Sequence, residues 1–495
     1  MKILILLLLL FASMQLHAQS SSATLNNYVP TAFSSIRQED LHDDLYTLAS
    51  DAMRGRRAVT SDELNGAAWI AEQARKAGLQ PAGDNGTYFQ FFPIERSVVD
   101  DKTNIDINGK SLVIWQDVWV VEPVDATLDS DIKWLSSLAD TSKPGISGSV
   151  VAMKIFPPFQ MPPSWVSLWG LRYVFAALRS QAGIVKAQGA KALILVADST
   201  TDAALKSMEH ELDFETGSYE LENDHGYSLN LGLPVMLVHE KEATSLQQPG
   251  AHIKADIRSD HFTYPSVNVV AKVRGTDAKL TNEYLLYSGH HDHEGVGQAI
   301  AGDSIWNGAD DNGSVCVAML AIGRAFVKHP ARRPVLFVWH GAEERGLMGS
   351  RWYAAHPTVK KEDIIAVING DMIGRNNPDS AALLGVTRPH RNSKDLADAA
   401  FKANQIAGHF KIDTTWDSPK HPEFWYYRSD HLSYAAVGIP SIFFSTLLHP
   451  DYHTPKDEPN GIDYSKLKRM TDWMYATGWL VANAPKRPAM DNDSR

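Results

Sequence analysis

The sequence predicts an α/β protein: a doubly wound, mostly parallel sheet interrupted by a β-rich insert. Three observations carry this expectation. Short apolar runs without alternation, "EYLLYSGHHDH", "RPVLFVWHGAEE", "DIIAVINGDM" and "IPSIFFSTLLHPDYH", have the pattern of strands buried on both faces. Helical patterns such as "NGADDNGSVCVAMLAIGRAF" fall between them, and strands alternating with helices favour parallel pairing. From about 126 to 261 the texture changes to short β-rich runs, "SGSVVAMKI", "GAKALILVAD" and "LPVMLVH", separated by polar or Pro-rich stretches.

Taken in order, the chain opens with Met1, Lys2, the apolar run "ILILLLLLF" and a polar exit at "QLHAQ". A positive start, an apolar core of about ten residues and a small residue before the cut describe a secretory signal peptide over 1–18, cleaved after Ala18. The run is shorter than the roughly 20 residues a membrane span needs. The expected location is therefore the periplasm or the extracellular medium. About 475 residues then remain, which predicts roughly two to four domains. "LHDDLYTLASDAMRGR" and "DELNGAAWIAEQARKAGL" carry apolar residues at helical spacing, with Gly78 placed to end the second helix. They open the first part of a catalytic domain, 34–125; the insert follows over 126–261, the main catalytic part over 262–486 and a polar tail over 487–495. "YSKLKRMTDWMYATGWLVANA" reads as an amphipathic helix before that tail. A net charge of -11 argues against nucleic acid or anionic membrane as partner. Cys316 is the only cysteine, which excludes an intramolecular disulfide. Oligomeric state is not readable from the chain.

In open α/β sheets the ligand site lies outside the carboxyl ends of the strands. At those ends this sequence repeatedly places metal-capable side chains: His290 and Asp292, Glu343 and Glu344, Asp371, and His453 a few residues past its strand. The pair Asp310 and Asp311 opens the helix after the first of these strands. Each signal alone has an ordinary structural explanation, as a turn, a helix cap or a surface histidine; an open α/β site explains all of them together. Two histidines with three carboxylates form a mixed N/O set suited to Zn²⁺. A pair of ions can share one carboxylate, and two-metal sites generate hydroxide near neutral pH while polarising a carbonyl. One glutamate of the Glu343–Glu344 pair would then be a ligand, and its neighbour would take the proton from water. His291 and His293 are read as lying outside the ligand set, His291 because strand alternation turns it away from His290. His340 makes no HExxH helix, and Cys316 falls on the apolar face of its helix.

The motifs "SGHHDH", "NGADDNGS", "AEERGLMGS", "NGDMIGR" and "YHTPKD", in this order, resemble those of the zinc-dependent M28 aminopeptidase family. The insert resembles a protease-associated (PA) domain, on "GAKALILVAD" and "LPVMLV". The resemblance implies a zinc-peptidase fold of the phosphorylase/hydrolase-like type and two zinc ions. It implies that Asp310 bridges both ions, that His290 and Asp371 complete one site, and that Glu344 and His453 complete the other. Glu343 would be the general base and Asp292 would orient the His290 imidazole. Tyr426, three residues before Ser429, would hydrogen-bond the developing oxyanion. The implied activity is release of N-terminal residues from peptides by metal-bound hydroxide. The alternatives are a carboxypeptidase of the glutamate carboxypeptidase type, a glutaminyl cyclase, and a receptor-like protein that keeps the fold without catalysis. All expected ligands are present, which disfavours the last. Only a short stretch follows His453, which disfavours the first.

Overall fold

The computed structural model describes residues 32–491 apart from 122–123, 143, 161–166, 209–217, 223–228 and 230. The signal-peptide expectation over 1–18 and the last four tail residues lie outside the described residues. The chain divides into two compact units: one comprises the residues up to Phe92, Ser266–Val296 and Asp303–Arg495, the other Pro93–Pro265 and Gly297–Gly302.

Seven strands of a ten-stranded sheet form the core of the first unit: β1 (Ser259–Val273, in this unit from Ser266), β2 (Tyr284–His290), β3 (Val335–His340), β4 (Ile364–Gly370), β5 (Ser380–Leu384), β6 (Lys411–Asp413) and β7 (Ser441–Ser445). Their order across the sheet is β6-β5-β7-β4-β2-β3-β1. The central strands β7, β4, β2 and β3 are mutually parallel. β1 and β5 run antiparallel to their neighbours β3 and β7, so the sheet is mixed with a parallel centre.

Helices α1 (Gln38–Leu48), α2 (Ser61–Lys76), α3 (Val315–Lys328), α4 (Met348–Ala355), α5 (His431–Ala436) and α6 (Tyr464–Asn483) surround this sheet. Alternate residues of each strand enter different cores. Leu285 and Tyr287 of β2, with Phe337 and Trp339 of β3, pack with Leu45 of α1, Ile70 of α2, Leu320 of α3 and Trp473 of α6. Leu286, Leu336 and Val338 pack with Tyr353 of α4 and Tyr434 of α5. Burial on both faces is the physical reason for the unbroken apolar runs. α6, expected to be amphipathic, is instead buried on most sides: Met470 and the whole run Trp473–Gly478 are buried. The tail is pinned at least as far as Asp491, whose carboxylate accepts from Arg391 Nε at 2.9 Å and from the Lys394 N–H at 2.9 Å.

The turn after β3 carries the glutamate pair and is closely packed. Glu63 of α2 is buried beneath it, accepting from Ser266 Oγ at 2.5 Å and from the Val59 N–H at 2.8 Å. Burial pushes its carboxyl up to about 8. A Cβ added at Gly341 would lie 2.6 Å from the Val267 carbonyl oxygen, 2.7 Å from Ser266 Oγ and closer still to Glu63 Oε1. Gly341→Ala is therefore expected to cost about 1–3 kcal/mol, the usual range for overpacking. A urea midpoint lowered at unchanged m-value would show it, and an unchanged midpoint would mean that the turn yields freely.

The second unit carries an eight-stranded sheet in the order Lys110–Leu112, Asn104–Ile107, His252–Ile257, Ala126–Leu135, Val150–Lys154, Ala192–Val196, Val235–Val238, Val118–Val120. It starts at Pro93 rather than at the expected 126. The reason is pairing: Asn104–Ile107 lies antiparallel to His252–Ile257, and Val118–Val120 antiparallel to Val235–Val238. The unit is also less purely β than expected. Trp169–Ala187 forms a 19-residue helix that buries Tyr173, Val174, Ala177, Leu178 and Val185, an i, i+4 pattern.

Candidate metal centre

The parallel centre of the sheet brings its carboxyl ends together. His290 is the last residue of β2, Asp371 follows β4 directly, and Glu343 and Glu344 lie three and four residues past β3. Around His290 Nε2 stand Asp311 Oδ1 at 3.2 Å, Asp371 Oδ2 at 3.6 Å and Glu343 Oε2 at 3.8 Å. Around His453 Nε2 stand Asp311 Oδ2 and Glu344 Oε2, each at 3.2 Å. The donor atoms form two compact groups capable of holding a metal: His290, Glu343 and Asp371 in one, and His293, Asp311, Glu344 and His453 in the other. Asp311 joins them, because its two carboxylate oxygens face different histidines.

The expectation for Asp310 is corrected by this geometry. Its carboxylate turns away from both groups: Oδ1 accepts from the Gly374 N–H at 2.6 Å, and Oδ2 lies 3.5 Å from His449 Nε2. The next residue takes the position between the groups because the backbone leaves helical geometry there, with Asp311 at φ -104 and ψ 95. Asp457 fixes this turn by accepting from the N–H groups of both Asp310 and Asp311 at 3.0 Å. Sequence spacing assigns no role to Asp457 of "YHTPKD" and leaves His293 outside the ligand set, whereas the structure places His293 beside Asp311, Glu344 and His453.

Asp292 acts differently from the expected clamp on His290. Its carboxylate accepts from the N–H of Glu343 at 3.0 Å and of Glu344 at 3.3 Å. His290 Nδ1 is 3.2 Å from the Asp292 carbonyl oxygen and 3.7 Å from the carboxylate. The side chain thus sets the turn of the glutamate pair, while the backbone meets the imidazole. Burial pushes the Asp292 carboxyl up to about 6. Tyr426 makes contacts with His390. Its ring stacks on His390 at 3.9 Å between centroids, and its hydroxyl lies 3.5 Å from the His390 carbonyl oxygen. His291 bonds the Val267 carbonyl through Nε2 at 3.0 Å, and burial pulls its imidazole down to about 4.

Arg56 ties the loops beneath the site. Fully buried, it donates to the carbonyls of Leu48, His291, Asn307 and Gly308 at 2.7–3.0 Å. Its bonds span the stretch after β2 and the stretch before Asp310, so ligands far apart in sequence share one anchor.

The electrostatics fit a cation. Asp311, Glu343, Glu344 and Asp371 have side chains at most 10% exposed and crowd together, an arrangement that needs compensating charge. Burial raises the Glu343 carboxyl well above the usual range; the charges of Glu344, Asp371 and Asp430 add to that effect and His290 opposes it. His453 Nε2 is buried without a hydrogen-bond partner, although two carboxylates face it. Imidazole nitrogen and carboxylate oxygen without thiolate is a donor set that suits zinc.

In an open α/β sheet, metal-capable groups at the carboxyl ends of the strands stand where such sheets hold their ligands. The model of Peptidase family M28 matches residues 268–478 of this chain. Aminopeptidase YwaD of Bacillus subtilis (strain 168) is 25% identical over 266 residues, covering 52% of this chain and 53% of its own length. The chain therefore spans about half the length of that curated relative. Among solved structures, the aminopeptidase from Aneurinibacillus sp. strain AM-1 superposes with a TM-score of 0.58 at 19% identity, covering 93% of this chain and 97% of its own. BSAP, a zinc aminopeptidase from Bacillus subtilis, gives 0.56 at 18% identity, with coverage of 91% and 96%. At these identities the structural likeness shows the fold alone.

Proposed function

We propose that the protein is an exported, zinc-dependent aminopeptidase that holds two ions and hydrolyses N-terminal residues from peptides. The observation that carries the reading is Asp311, whose separate carboxylate oxygens face His290 and His453. His290 and Asp371 would hold one ion, Glu344 and His453 the other, and Asp311 would bridge them. When bound, zinc supplies Lewis acidity to the scissile carbonyl and lowers the pKa of attacking water. Glu343, placed by Asp292 beside His290, takes the proton from that water and passes it to the leaving amine. Burial and neighbouring carboxylates raise the Glu343 carboxyl, which strengthens it as a proton acceptor. Tyr426, stacked on His390, is the group proposed to meet the oxyanion.

Several further features belong to the same reading. Helices against both sheet faces support a doubly wound arrangement, and the second unit is read as the PA-like insert. The N-terminal run over 1–18 supports export, while none of the described helices is long and apolar enough to cross a membrane. A net charge of -11 disfavours nucleic acid as partner. The names of the relatives, aminopeptidase and zinc aminopeptidase, support the substrate and the metal.

The test is a matched peptide series with free and acetylated N-termini, given to zinc-loaded protein. Cleavage confined to the free-amine series is the expected result. Equal cleavage of the blocked series would show that the amine is not read, and would move the assignment to a carboxypeptidase.

A further inference from the structure

Glu344 is gripped at both ends by two consecutive residues. Asp292 accepts from its backbone N–H at 3.3 Å, and His293 Nδ1 lies 2.9 Å from its carboxylate Oε1. The other oxygen, Oε2, faces His453 Nε2 at 3.2 Å. The two oxygens are thereby divided: one turns to the ligand group shared with His453 and Asp311, and the other turns to His293. An ionised carboxylate only accepts hydrogen bonds, so the hydrogen between this pair sits on Nδ1. A nitrogen that carries this hydrogen has no lone pair left for a metal.

The His293 ring is itself held in place. It is fully buried and stands edge-on to His453 at 5.5 Å between centroids. Its backbone N–H donates to the Arg56 carbonyl at 3.4 Å. Gly308 packs against the ring so closely that a Cβ there would lie 2.6 Å from His293 Cδ2. Glycine is required there by the ring and by the Asp311 carbonyl oxygen alike.

We infer that His293 is a positioning residue of the zinc site: its Nδ1–H holds Glu344 Oε1 so that Oε2 is presented to the same ion as His453 and Asp311. The inference rests on the two-ion reading given above. Groups that orient a ligand in this way fix its rotamer before the metal arrives, and their loss costs about 10–100-fold in metal affinity.

Asn is the informative replacement, since its amide nitrogen is as many bonds from Cα as Nδ1 and can donate to the same oxygen. Leu removes the donor while keeping bulk. Zinc affinity and stoichiometry of the wild-type protein, His293→Leu and His293→Asn are measured by chelator competition and atomic emission. The absorption bands of the cobalt(II)-loaded forms are compared alongside. In His293→Leu, one of two zinc equivalents is expected to bind about 10–100-fold more weakly. His293→Asn is expected to recover wild-type affinity, two equivalents and unchanged cobalt bands. Equal affinity in wild type and His293→Leu would overturn the inference. A His293→Asn protein that saturates with one ion, or whose cobalt bands shift, would also overturn it by making the ring a ligand. If His293→Leu does not fold, the Asn variant decides on its own by the same two readouts. A wild-type chain that takes up fewer than two zinc ions would instead overturn the two-ion reading, and the inference with it.

Discussion

Glu343→Gln should lower kcat on a free-amine peptide by about 10²–10⁴-fold, the usual share of a general base, while zinc content stays at the wild-type level. Glutamine keeps the shape and the backbone N–H that Asp292 accepts, but its amide cannot take a proton from water. The geometry makes the result a real decision. Glu343 Oε2 stands 3.8 Å from His290 Nε2, and the residue groups with His290 and Asp371 as a candidate ligand set. A base that stays off the metal predicts lost turnover with both ions retained. Loss of one zinc equivalent together with activity would instead make Glu343 a ligand. Steady-state rates and atomic emission on the same preparation separate the two outcomes.

The second large effect discriminates adjacent aspartates. Asp311→Asn should remove the shared carboxylate, drop zinc below two equivalents and weaken affinity by on the order of 10²-fold or more, beyond the cost of losing an orienting partner. Asp310→Asn should leave both equivalents in place. Its Oδ1 accepts from the Gly374 N–H at 2.6 Å, a role an amide oxygen can keep. Burial and Asp457 push the Asp310 carboxyl up to about 8, so the amide replaces a group that carries little charge at neutral pH. The opposite pattern, with zinc lost from the Asp310 variant alone, would restore the assignment suggested by motif resemblance.

The contrast shows what local sequence can and cannot carry. The parallel strands β2, β3, β4 and β7 were legible because burial on both faces leaves unbroken apolar runs, and the polar residues just past them marked the carboxyl ends. Choosing between Asp310 and Asp311 requires a backbone dihedral in an irregular turn, and two identical neighbours offer no chemical clue. His293 escaped for a related reason. It lies outside the ligand set, as expected, but its contact with Glu344 falls three residues past the end of β2, where no strand period fixes a side chain. The first strands of the second unit were missed because they are short and their partner, His252–Ile257, lies far along the chain. The helix Trp169–Ala187 was obscured by the Pro-rich residues before it, although its own apolar spacing was present.

Cys316 sits in α3 with its thiol donating to the His290 carbonyl at 3.0 Å, and burial pushes it up to about 12. A thiol so protonated and sealed reacts with alkylating reagents only when its surroundings open. Being the sole cysteine, it gives this molecule a built-in clock. The rate at which label enters counts how often the layer beneath His290 breathes, and comparing that rate with and without metal reads how much of the site's rigidity the ions confer.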